Sequence, residues 1–512
     1  MLSSSIKQIS RRLQSGEVTA SELVENCLAR AHQTKDLNAF VTITADLARE
    51  QAQQSDERRR QGQPLGPLDG VPVSVKDNFC VRGAPTTCGS RMLAEFRPPY
   101  TASVVRRLLR AGACLIGKTN LDEFGMGVGT VDSFFGPTKN VWGSNVKYKL
   151  RYKYGEPATD PPVPPRDSDE DFYIPGGSSG GSAVSVASGS SFVALGSDTG
   201  GSVRNPAASC GLVGLKPSYG LLSRHGLVPL VHSMDAPGLL ARTVADAALV
   251  FDLLSAPDAL DSTCVAEART PVALAERCSA RGLVVGVPRE YHCPGVDSQV
   301  LDAWEAAAAE LAAGGATVRQ VSLPHTQHSI ACYSVLNAAE VASNMARYDG
   351  VEFGFRSTEH ASTEAMYADG RRRALNEVVR GRVLAGNYFL LRRHYDDYMV
   401  QAMRVRRLIQ RDFELAWRAG CHLLLTPVTL TDGHLHSEFV QRDSRTNTAA
   451  LDYCTQPANM AGVPAVSLPV RLSSRGLPIS LQLMAPPLGE RRLLAAARWL
   501  ERRLAFPRLE LV

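Results

Sequence analysis

Residues 174–205 read IPGGSSGGSAVSVASGSSFVALGSDTGGSVRN, and this stretch decides how the rest of the chain is interpreted. Glycine and serine dominate it, yet apolar residues such as Val184 and Phe192 interrupt them. A flexible Gly/Ser linker would be polar throughout. The pattern instead predicts a buried helix and a short strand between two tight turns, one at Gly177 and one at residues 200–202. Such turns can direct hydroxyl and backbone N–H groups into one small space.

A lysine stands on an apolar strand that precedes this stretch. In GVPVSVKDNF, residues 70–79, Val71, Val73 and Val75 recur at every second position and Lys76 follows, which is the period of a strand with one apolar face. A lysine on such a strand either prevents an exposed sheet edge from pairing with another chain or is a buried base. Desolvation lowers the pKa of a buried lysine and leaves it able to accept a proton.

The two segments together resemble the amidase signature family. The resemblance rests on PGGSSGGSAVSVASG (175–189), on ALGSDTGGSVRNPAASCGLVGLKPSYG (194–220) and on their spacing from Lys76. It implies a Ser–cisSer–Lys triad with Ser202 as the nucleophile, Ser178 as the bridging serine and Lys76 as the base. It also implies an oxyanion hole made of the backbone N–H groups of Thr199, Gly200, Gly201 and Ser202.

The residue types implied by this resemblance suit acyl transfer. A serine hydroxyl is a weak nucleophile until an adjacent base removes its proton. A second serine can accept a proton on one lone pair while giving up its own, and can therefore relay a proton between Ser202 and Lys76. Glycine lets backbone N–H groups approach a developing oxyanion closely. The implied reaction is carboxamide hydrolysis through an acyl-enzyme.

The remaining sequence alternates strand and helix patterns. Strands are predicted at 71–76, 113–116, 283–287, 318–323, 423–425, 465–470 and 478–483. Helices are predicted at 46–60, 101–111, 243–254 and 298–313, across most of 329–418 and from residue 490 onward. We expect an α/β fold with a single large amidase-signature domain, whose mixed β-sheet core is covered by helices on both faces. The predicted organisation is an N-terminal helical segment, residues 1–60, that packs on the amidase domain, residues 61–505.

Two segments need a separate interpretation. Residues 1–16 contain Lys7, Arg11 and Arg12 and no acid, so they suit a transit peptide or the first helix of the fold, and both can hold. Residues 143–173 are first basic, then proline-rich and then acidic, with few apolar side chains to bury. This composition predicts a solvated, partly disordered insertion in the amidase domain.

Composition limits the classes of function. The chain has 512 residues, of which 44% are hydrophobic and 21% charged, and no apolar run approaches the roughly 20 residues that a membrane span needs. A formal charge of +5 and the lack of a Lys/Arg stripe with interleaved aromatics argue little for direct nucleic-acid binding. Eleven cysteines without a CxxC pair are typical of buried thiols in a reducing compartment, and they indicate neither a zinc site nor a disulfide framework.

Two short motifs match other enzyme classes, but their context disagrees. Residues 112–119 fit the P-loop pattern G-x-x-x-x-G-K-[ST]. A P-loop requires its four middle residues to be loop, whereas here they are predicted to form a strand. Residues 176–180 fit the G-x-S-x-G nucleophile elbow, yet no predicted strand leads into them.

Further segments resemble the A-subunit family of glutamyl-tRNA(Gln) amidotransferases. They are EVASNMARYDG (340–350), STEAMYA (362–368), VVRGRVLAGNY (378–388) and DYCTQPANMAGVPAVSLPV (452–470). SRHGLVPLVHSMD (223–235) is similar to the mitochondrial members. The resemblance implies that the chain hydrolyses glutamine and supplies ammonia for the conversion of Glu-tRNA(Gln) to Gln-tRNA(Gln) in organellar translation.

The same resemblance implies a binding site for glutamine. Arg382 would hold the α-carboxylate, Asp452 the α-amino group, and Tyr333 would lie nearby. An arginine fork suits a carboxylate because it can bind both oxygens. Arg380 lies two residues earlier and competes for the same role.

The family likeness also implies partners. No metal or cofactor is expected in this chain, whereas ATP and Mg²⁺ are expected on a kinase-like B subunit that binds ATP and tRNA. A small bridging C subunit would complete a heterotrimer. The chain would act on Glu-tRNA(Gln) only through this complex. The complex would lie in the mitochondrial matrix and would not bind a membrane. Two alternatives stay open: a free-standing amidase for another small carboxamide, and a scaffold or nucleotide-binding subunit without chemistry.

Overall fold

The computed structural model describes residues 1–151, 159–160, 170–267, 270–275, 278–359 and 361–511. The proline-rich part of the predicted insertion lies outside these residues. Within the described ranges, no helix combines the length and the apolar character needed to cross a membrane.

Helices and strands alternate along most of the chain. The helices are α1 (Ile6–Gln14), α2 (Ala20–Gln33), α3 (Ala45–Arg60), α4 (Ser103–Arg110), α5 (Gly180–Ala187), α6 (Arg204–Ser209), α7 (Val244–Leu254), α8 (Ser298–Ala313), α9 (Ser329–Met345), α10 (Thr363–Ala374), α11 (Glu377–Leu390), α12 (Arg392–Tyr395), α13 (Gln401–Arg418), α14 (His436–Val440), α15 (Ser444–Leu451), α16 (Gln456–Ala461) and α17 (Glu490–Leu504). A π-helical turn, Asp396–Val400, joins α12 to α13. The strands are β1 (Phe40–Ile43), β2 (Pro72–Lys76), β3 (Cys114–Thr119), β4 (Tyr148–Arg151), β5 (Val193–Asp198), β6 (Val213–Lys216), β7 (Ala236–Ala241), β8 (Val284–Pro288), β9 (Thr317–Val321), β10 (Leu423–Pro427), β11 (Ala465–Leu472), β12 (Pro478–Met484) and β13 (Arg508–Leu511).

One mixed sheet of eleven strands forms the core, in the order β1-β3-β2-β5-β7-β6-β11-β12-β10-β8-β9. Strand β2 runs parallel to both β3 and β5, and β8 runs parallel to β9 and β10. The other neighbours in this sheet are antiparallel. The predicted α/β class and mixed sheet are therefore confirmed, and helices flank the sheet as expected.

The helix starts follow local capping chemistry. In α2 the Thr19 hydroxyl accepts from the Glu22 N–H, and the Glu22 carboxylate accepts from the Thr19 N–H, which together form a capping box. Helix α1 has the same arrangement between Ser5 and Gln8, and it buries Ile6 among other core residues. Residues 1–16 therefore contain a packed helix of the fold, whatever precedes it.

Three strands of the eleven-stranded sheet were not predicted, namely β1, β6 and β7. Strand β1 pairs antiparallel with β3 inside the segment 1–60 that was predicted as helical, and its four residues are too few to give a clear period. Strand β7 lies in the middle of the sheet although it contains Pro237 and Gly238, residues that normally argue against a central strand. The division of the chain after residue 60 stays a prediction.

The solvated character predicted for residues 143–173 is wrong at both ends of the segment. Strand β4 pairs antiparallel with the C-terminal strand β13. Tyr148, Leu150 and Tyr173 are buried in one cluster with Trp142 and Leu477. These few apolar side chains suffice because they pack against the C-terminus, a partner that lies more than 300 positions away in the sequence.

Candidate active site

The carboxyl ends of β2 and β5 meet at one edge of the sheet. Lys76 is the last residue of β2 and Asp198 the last residue of β5, and the two strands are parallel neighbours with Val75 opposite Leu195. The turn that follows β5 carries Ser202, and the segment before α5 carries Ser178. Neighbouring parallel strands thus bring residues 76, 178 and 202 to the same place.

The Lys76 amine is fully buried among serine hydroxyls. Its Nζ lies 2.8 Å from Ser178 Oγ, 2.9 Å from Ser179 Oγ and 3.0 Å from Ser197 Oγ. Ser179 Oγ also donates to the Ser197 carbonyl oxygen at 3.2 Å, and Asn78 Nδ2 donates to Ser197 Oγ at 2.9 Å. Lys76 is therefore buried inside the sheet and does not protect an exposed sheet edge.

Burial lowers the pKa of Lys76 to about 7, because the protonated amine loses its hydration. The buried carboxylates of Asp122, Asp198 and Asp235 oppose this effect through their negative charge. No carboxylate among the described residues forms an ion pair with Lys76. The amine is thus neutral in a large part of the molecules near pH 7 and can accept a proton.

The backbone at Ser178 is distinct. The peptide bond between Gly177 and Ser178 is cis, which matches the middle residue of the family's triad. Ser178 is buried, and its neighbour Ser179 donates its backbone N–H to the Ser202 carbonyl oxygen at 3.1 Å. The two turns that flank the glycine- and serine-rich stretch are therefore hydrogen-bonded to each other.

The turn at residues 199–202 presents free backbone donors. The N–H groups of Gly200, Gly201 and Ser202 donate to no other described residue. Ser202 is 7% exposed, and its Oγ forms no hydrogen bond within the described part of the chain. Gly201 has φ +152°, and a side chain there would meet Thr455 Oγ1 at 2.3 Å. Only glycine fits this position, because it has no side chain and tolerates this backbone conformation.

Two buried carboxylates hold this turn in place. Asp235 accepts a hydrogen bond of 2.6 Å from the Thr199 hydroxyl and two more from backbone N–H groups. Asp198 accepts two hydrogen bonds from the buried Arg204 guanidinium, at 2.9 and 3.1 Å. Burial alone would raise the pKa of Asp198, but the positive charge of Arg204 outweighs it and lowers that pKa to about 2. Arg204 also donates to the Thr455 carbonyl oxygen at 2.9 Å.

Helices α9 and α11 contribute a polar chain beside the turn. The Tyr333 ring lies against Gly200, where a side-chain carbon would come within 3.1 Å of it. Asn337 donates from Nδ2 to the Tyr333 hydroxyl at 3.0 Å and accepts at Oδ1 from Arg382 at 3.1 Å. Arg380 instead donates to the Arg372 carbonyl oxygen, 2.9 Å away, and its guanidinium lies 3.9 Å from Glu377. Of the two candidate arginines, Arg382 is the one connected to the site.

Asp452 lies beside Gly201 with an unsatisfied oxygen. The residue is buried, and its Oδ1 has no hydrogen-bond partner among the described residues. A side-chain carbon at Gly201 would lie 2.8 Å from that oxygen. Burial raises the pKa of Asp452 to about 8, and the nearby Asp198 carboxylate adds to the increase. A cationic group that reached this oxygen would satisfy it and favour its ionised form.

The residues predicted from the sequence thus surround one turn, whereas several of their supports were missed. The structure adds Ser179, Ser197, Asn337 and Arg204. Asn337 follows Tyr333 by four residues on one helix, a spacing that could have indicated it. The described residues contain no group of three or more His, Cys, Asp or Glu side chains that could hold a metal ion.

The segment that fits the P-loop pattern folds as the predicted strand. Residues 114–119 form β3, and Lys118 is buried in an ion pair with Asp77 at 2.7 Å. Lys118 also donates to the Pro85 carbonyl oxygen at 3.0 Å. The lysine that would bind phosphates in a P-loop therefore holds the backbone that follows Lys76. No strand leads into residues 176–180, as expected.

Comparisons with known proteins agree with this geometry. The amidase family model matches residues 22–147 and 152–494. The A subunit of mitochondrial glutamyl-tRNA(Gln) amidotransferase from Ixodes scapularis is 54% identical over 513 residues, which cover 100% of this chain and 98% of that protein. The protein of the same description from Homo sapiens is 49% identical over 512 residues, covering 100% of this chain and 96% of its own length.

Solved structures show the same likeness. The crystal structure of the glutamyl-tRNA(Gln) amidotransferase A subunit from Thermotoga maritima has a TM-score of 0.70 at 31% identity, over 97% of this chain and 98% of that one. The crystal structure of an amidase has a TM-score of 0.77, also at 31% identity, over 98% and 100% of the two chains. Both match nearly the whole length of the chain.

Proposed function

Because the chain belongs to the amidase family, we propose that it is a glutamine-hydrolysing subunit that supplies ammonia for the conversion of Glu-tRNA(Gln) to Gln-tRNA(Gln). The observation that carries the chemistry is the buried Lys76 amine, whose pKa is lowered to about 7 and whose Nζ lies 2.8 Å from Ser178 Oγ. The substrate class is supported by the relatives named above and by the unsatisfied oxygen of Asp452.

In the first half of the proposed reaction, Ser202 Oγ attacks the carboxamide carbon of glutamine. The Ser202 proton moves to Ser178, and the Ser178 proton moves to the neutral Lys76 amine. The negative charge that develops on the carboxamide oxygen is stabilised by the N–H groups of the 199–202 turn, which need no rearrangement to reach it. Removing one such donor typically costs about 10² to 10³ in kcat.

In the second half, the lysine proton returns. It passes through Ser178 to the amide nitrogen, which leaves as ammonia while Ser202 keeps the glutamyl group as an ester. A water molecule then attacks the ester, and Lys76 takes the water's proton by the same route. The proton returns to Ser202 when glutamate leaves, so each cycle consumes one water and restores the neutral lysine.

We propose that Arg382 and Tyr333 bind the α-carboxylate of glutamine and that Asp452 binds its α-ammonium group. The contacts support this division, because Arg382 is linked through Asn337 to Tyr333 beside Gly200, whereas the free oxygen of Asp452 lies beside Gly201. An ammonium group beside Asp452 would favour the ionised carboxylate and provide the missing hydrogen bond. Arg380 points elsewhere and is not part of this proposal.

We further propose that the chain works within a complex. Conversion of Glu-tRNA to Gln-tRNA requires activation of a carboxylate by ATP, and the one P-loop pattern in the sequence folds as a buried strand. A kinase-like B subunit would hold ATP, Mg²⁺ and the tRNA, and a small C subunit would bridge the two larger chains. The mitochondrial relatives support a mitochondrial location, and we propose the matrix.

A glutaminase assay with the purified chain, alone and with the two proposed subunits, tests this function. We expect slow hydrolysis of glutamine by the chain alone and faster hydrolysis in the complex. The Ser202→Ala variant should lose glutaminase activity in both settings, yet the complex that contains it should still form Gln-tRNA when ammonium is added. Hydrolysis of other small carboxamides in preference to glutamine would favour a free-standing amidase. Formation of Gln-tRNA by the isolated chain from ATP, glutamine and Glu-tRNA(Gln) would contradict the division of labour.

A further inference from the structure

Large apolar side chains are exposed where α11 bends into α12. Leu384, Tyr388, Leu390, Leu391 and Tyr395 all belong to this group, within twelve residues of sequence. At 71%, Leu384 is the most exposed large hydrophobic residue in the described part of the chain. We call the surface formed by residues 384–398 the elbow. A concentration of exposed apolar side chains of this kind marks an interaction site on a soluble protein.

The elbow does not use its aromatic side chains to cover the core. Leu391 has an extended backbone that ends α11, and no residue of α12 or of the following π-helical turn is buried. Tyr388 stacks on His394 with 4.1 Å between ring centroids, and Phe389 lies 4.9 Å from Tyr398. The rings therefore support one another at the surface. Helical π-turns occur frequently at functional sites, and tyrosine is enriched in the contacts that dominate binding energy.

The charges of the elbow favour a protein as the occupant. Arg392 precedes Asp396 by four residues and Arg393 precedes Asp397 by four, yet none of the four forms an ion pair with another described residue. A base that precedes an acid is the weaker of the two orders for such pairs on a helix. The two arginines and the two aspartates cancel in formal charge, so the elbow offers no net attraction to RNA phosphates or anionic lipid headgroups. A protein surface that carries both signs of charge around an apolar centre would complement all four charged side chains.

The elbow begins on the same helix, α11, that carries Arg382 of the proposed glutamine-binding site. Tyr388 follows Arg382 by six residues, which is about 9 Å along the axis of α11. At Gly386 a side-chain carbon would overlap the Ala338 carbonyl oxygen, so α11 lies directly on α9. Helix α9 carries Asn337, to which Arg382 donates its hydrogen bond. A partner on the elbow would therefore rest on the outer side of the helix pair that holds the proposed glutamine carboxylate site.

We propose that the elbow is the docking surface for a second protein subunit, whose contact surface has apolar side chains surrounded by carboxylates and cations. This inference rests on the proposed function, because the subunit that receives ammonia must dock near the glutaminase site. The apolar side chains would supply most of the binding energy, while the four unpaired charges would set the orientation of the partner.

The test measures the dissociation constant between the purified chain and the kinase-like subunit, with the small subunit present. The variant Leu384→Glu/Leu391→Glu places two charges on the elbow, and the control Leu65→Glu/Leu260→Glu places two on residues that are 52% and 56% exposed elsewhere. We expect the elbow variant to weaken binding by about tenfold or more. The control should bind like the unmodified chain, and all three proteins should have the same glutaminase activity when isolated.

Equal binding by the elbow variant and the control would overturn the proposal, and so would failure of the unmodified chain to bind the kinase-like subunit. Two further measurements test other occupants of the elbow. Sedimentation of the isolated chain tests for a second copy of the chain, and binding to vesicles that contain anionic lipid tests for a membrane. If the elbow variant changed only self-association or only vesicle binding, the protein partner would be wrong. If assembly depended on the elbow but the isolated chain and the complex hydrolysed no glutamine, the docking surface would stand and the proposed function would fail.

Discussion

The sharpest prediction concerns the pH dependence of glutamine hydrolysis. Lys76 can act as a base only when it is neutral, and burial lowers its pKa from 10.5 to about 7. A difference of about 3.5 in pKa corresponds to about 5 kcal/mol against the protonated amine. With a pKa of 10.5, the amine would be neutral in only about one molecule in three thousand at pH 7. With a pKa of about 7, the amine is neutral in about half of the molecules at that pH.

The expected profile follows from this pKa. At saturating glutamine, kcat should be constant above pH about 8 and fall as the pH decreases through about 7. It should reach about a tenth of its plateau at pH 6 and about a hundredth at pH 5, because protonation removes the base. The assay follows glutamate formation by the isolated chain from pH 5 to 9. Circular dichroism at each pH provides the control for unfolding.

The Lys76→Arg variant separates charge from proton transfer. Arginine keeps a positive charge but does not deprotonate in proteins, so the variant should lose activity by about 10² to 10⁴ at every pH. A kcat that stays constant from pH 5 to 8, or one that first rises near pH 10, would refute the role of a neutral Lys76. Substantial activity in the arginine variant would do the same.

The remaining predictions concern substrate binding and stability. Arg382→Ala should raise KM for glutamine by about 30-fold, equivalent to about 2 kcal/mol for a charge-assisted hydrogen bond, whereas Arg380→Ala should leave KM unchanged. For Asp452, whose pKa of about 8 must be overcome to bind an ammonium group, KM should decrease as the pH rises from 6 to 8, and Asp452→Asn should abolish that dependence. Arg204→Leu leaves a buried carboxylate without its partner and should lower the free energy of unfolding by about 3 to 5 kcal/mol in chemical denaturation. Arg407→Leu removes an exposed ion pair and should have a much smaller effect, and equal losses for the two variants would contradict this reasoning.

The sequence was most informative where the chemistry is local. Ser178 and Ser202 lie in one continuous stretch with marked glycine turns, and the period of residues 71–75 reveals the strand that carries Lys76. The structure confirms that strand. These features depend on neighbours within a few residues, so the pattern of residue types contains them directly.

Features that depend on distant contacts were missed or misjudged. Strand β4 pairs along its whole length with β13, and nothing near residue 148 in the sequence indicates that partner. The role of Asn337 becomes evident only from its hydrogen bond with Arg382, which lies on a different helix. The elbow residue Leu384 fits an ordinary helical pattern in the sequence. Its exposure becomes evident only when α11 has been placed against α9.

The most direct test of the central claim is to identify the serine that carries the acyl group. The reaction of the isolated chain with glutamine, or with a slow glutamine analogue, is stopped by acid, and the modified peptide is located by mass spectrometry. The Ser178→Ala variant is measured in the same way, because it keeps Ser202 but lacks the proposed proton relay. We predict a glutamyl adduct on Ser202, which is the last residue of the turn with the free N–H donors. An adduct on Ser178, with Ser202 unmodified, would contradict the account.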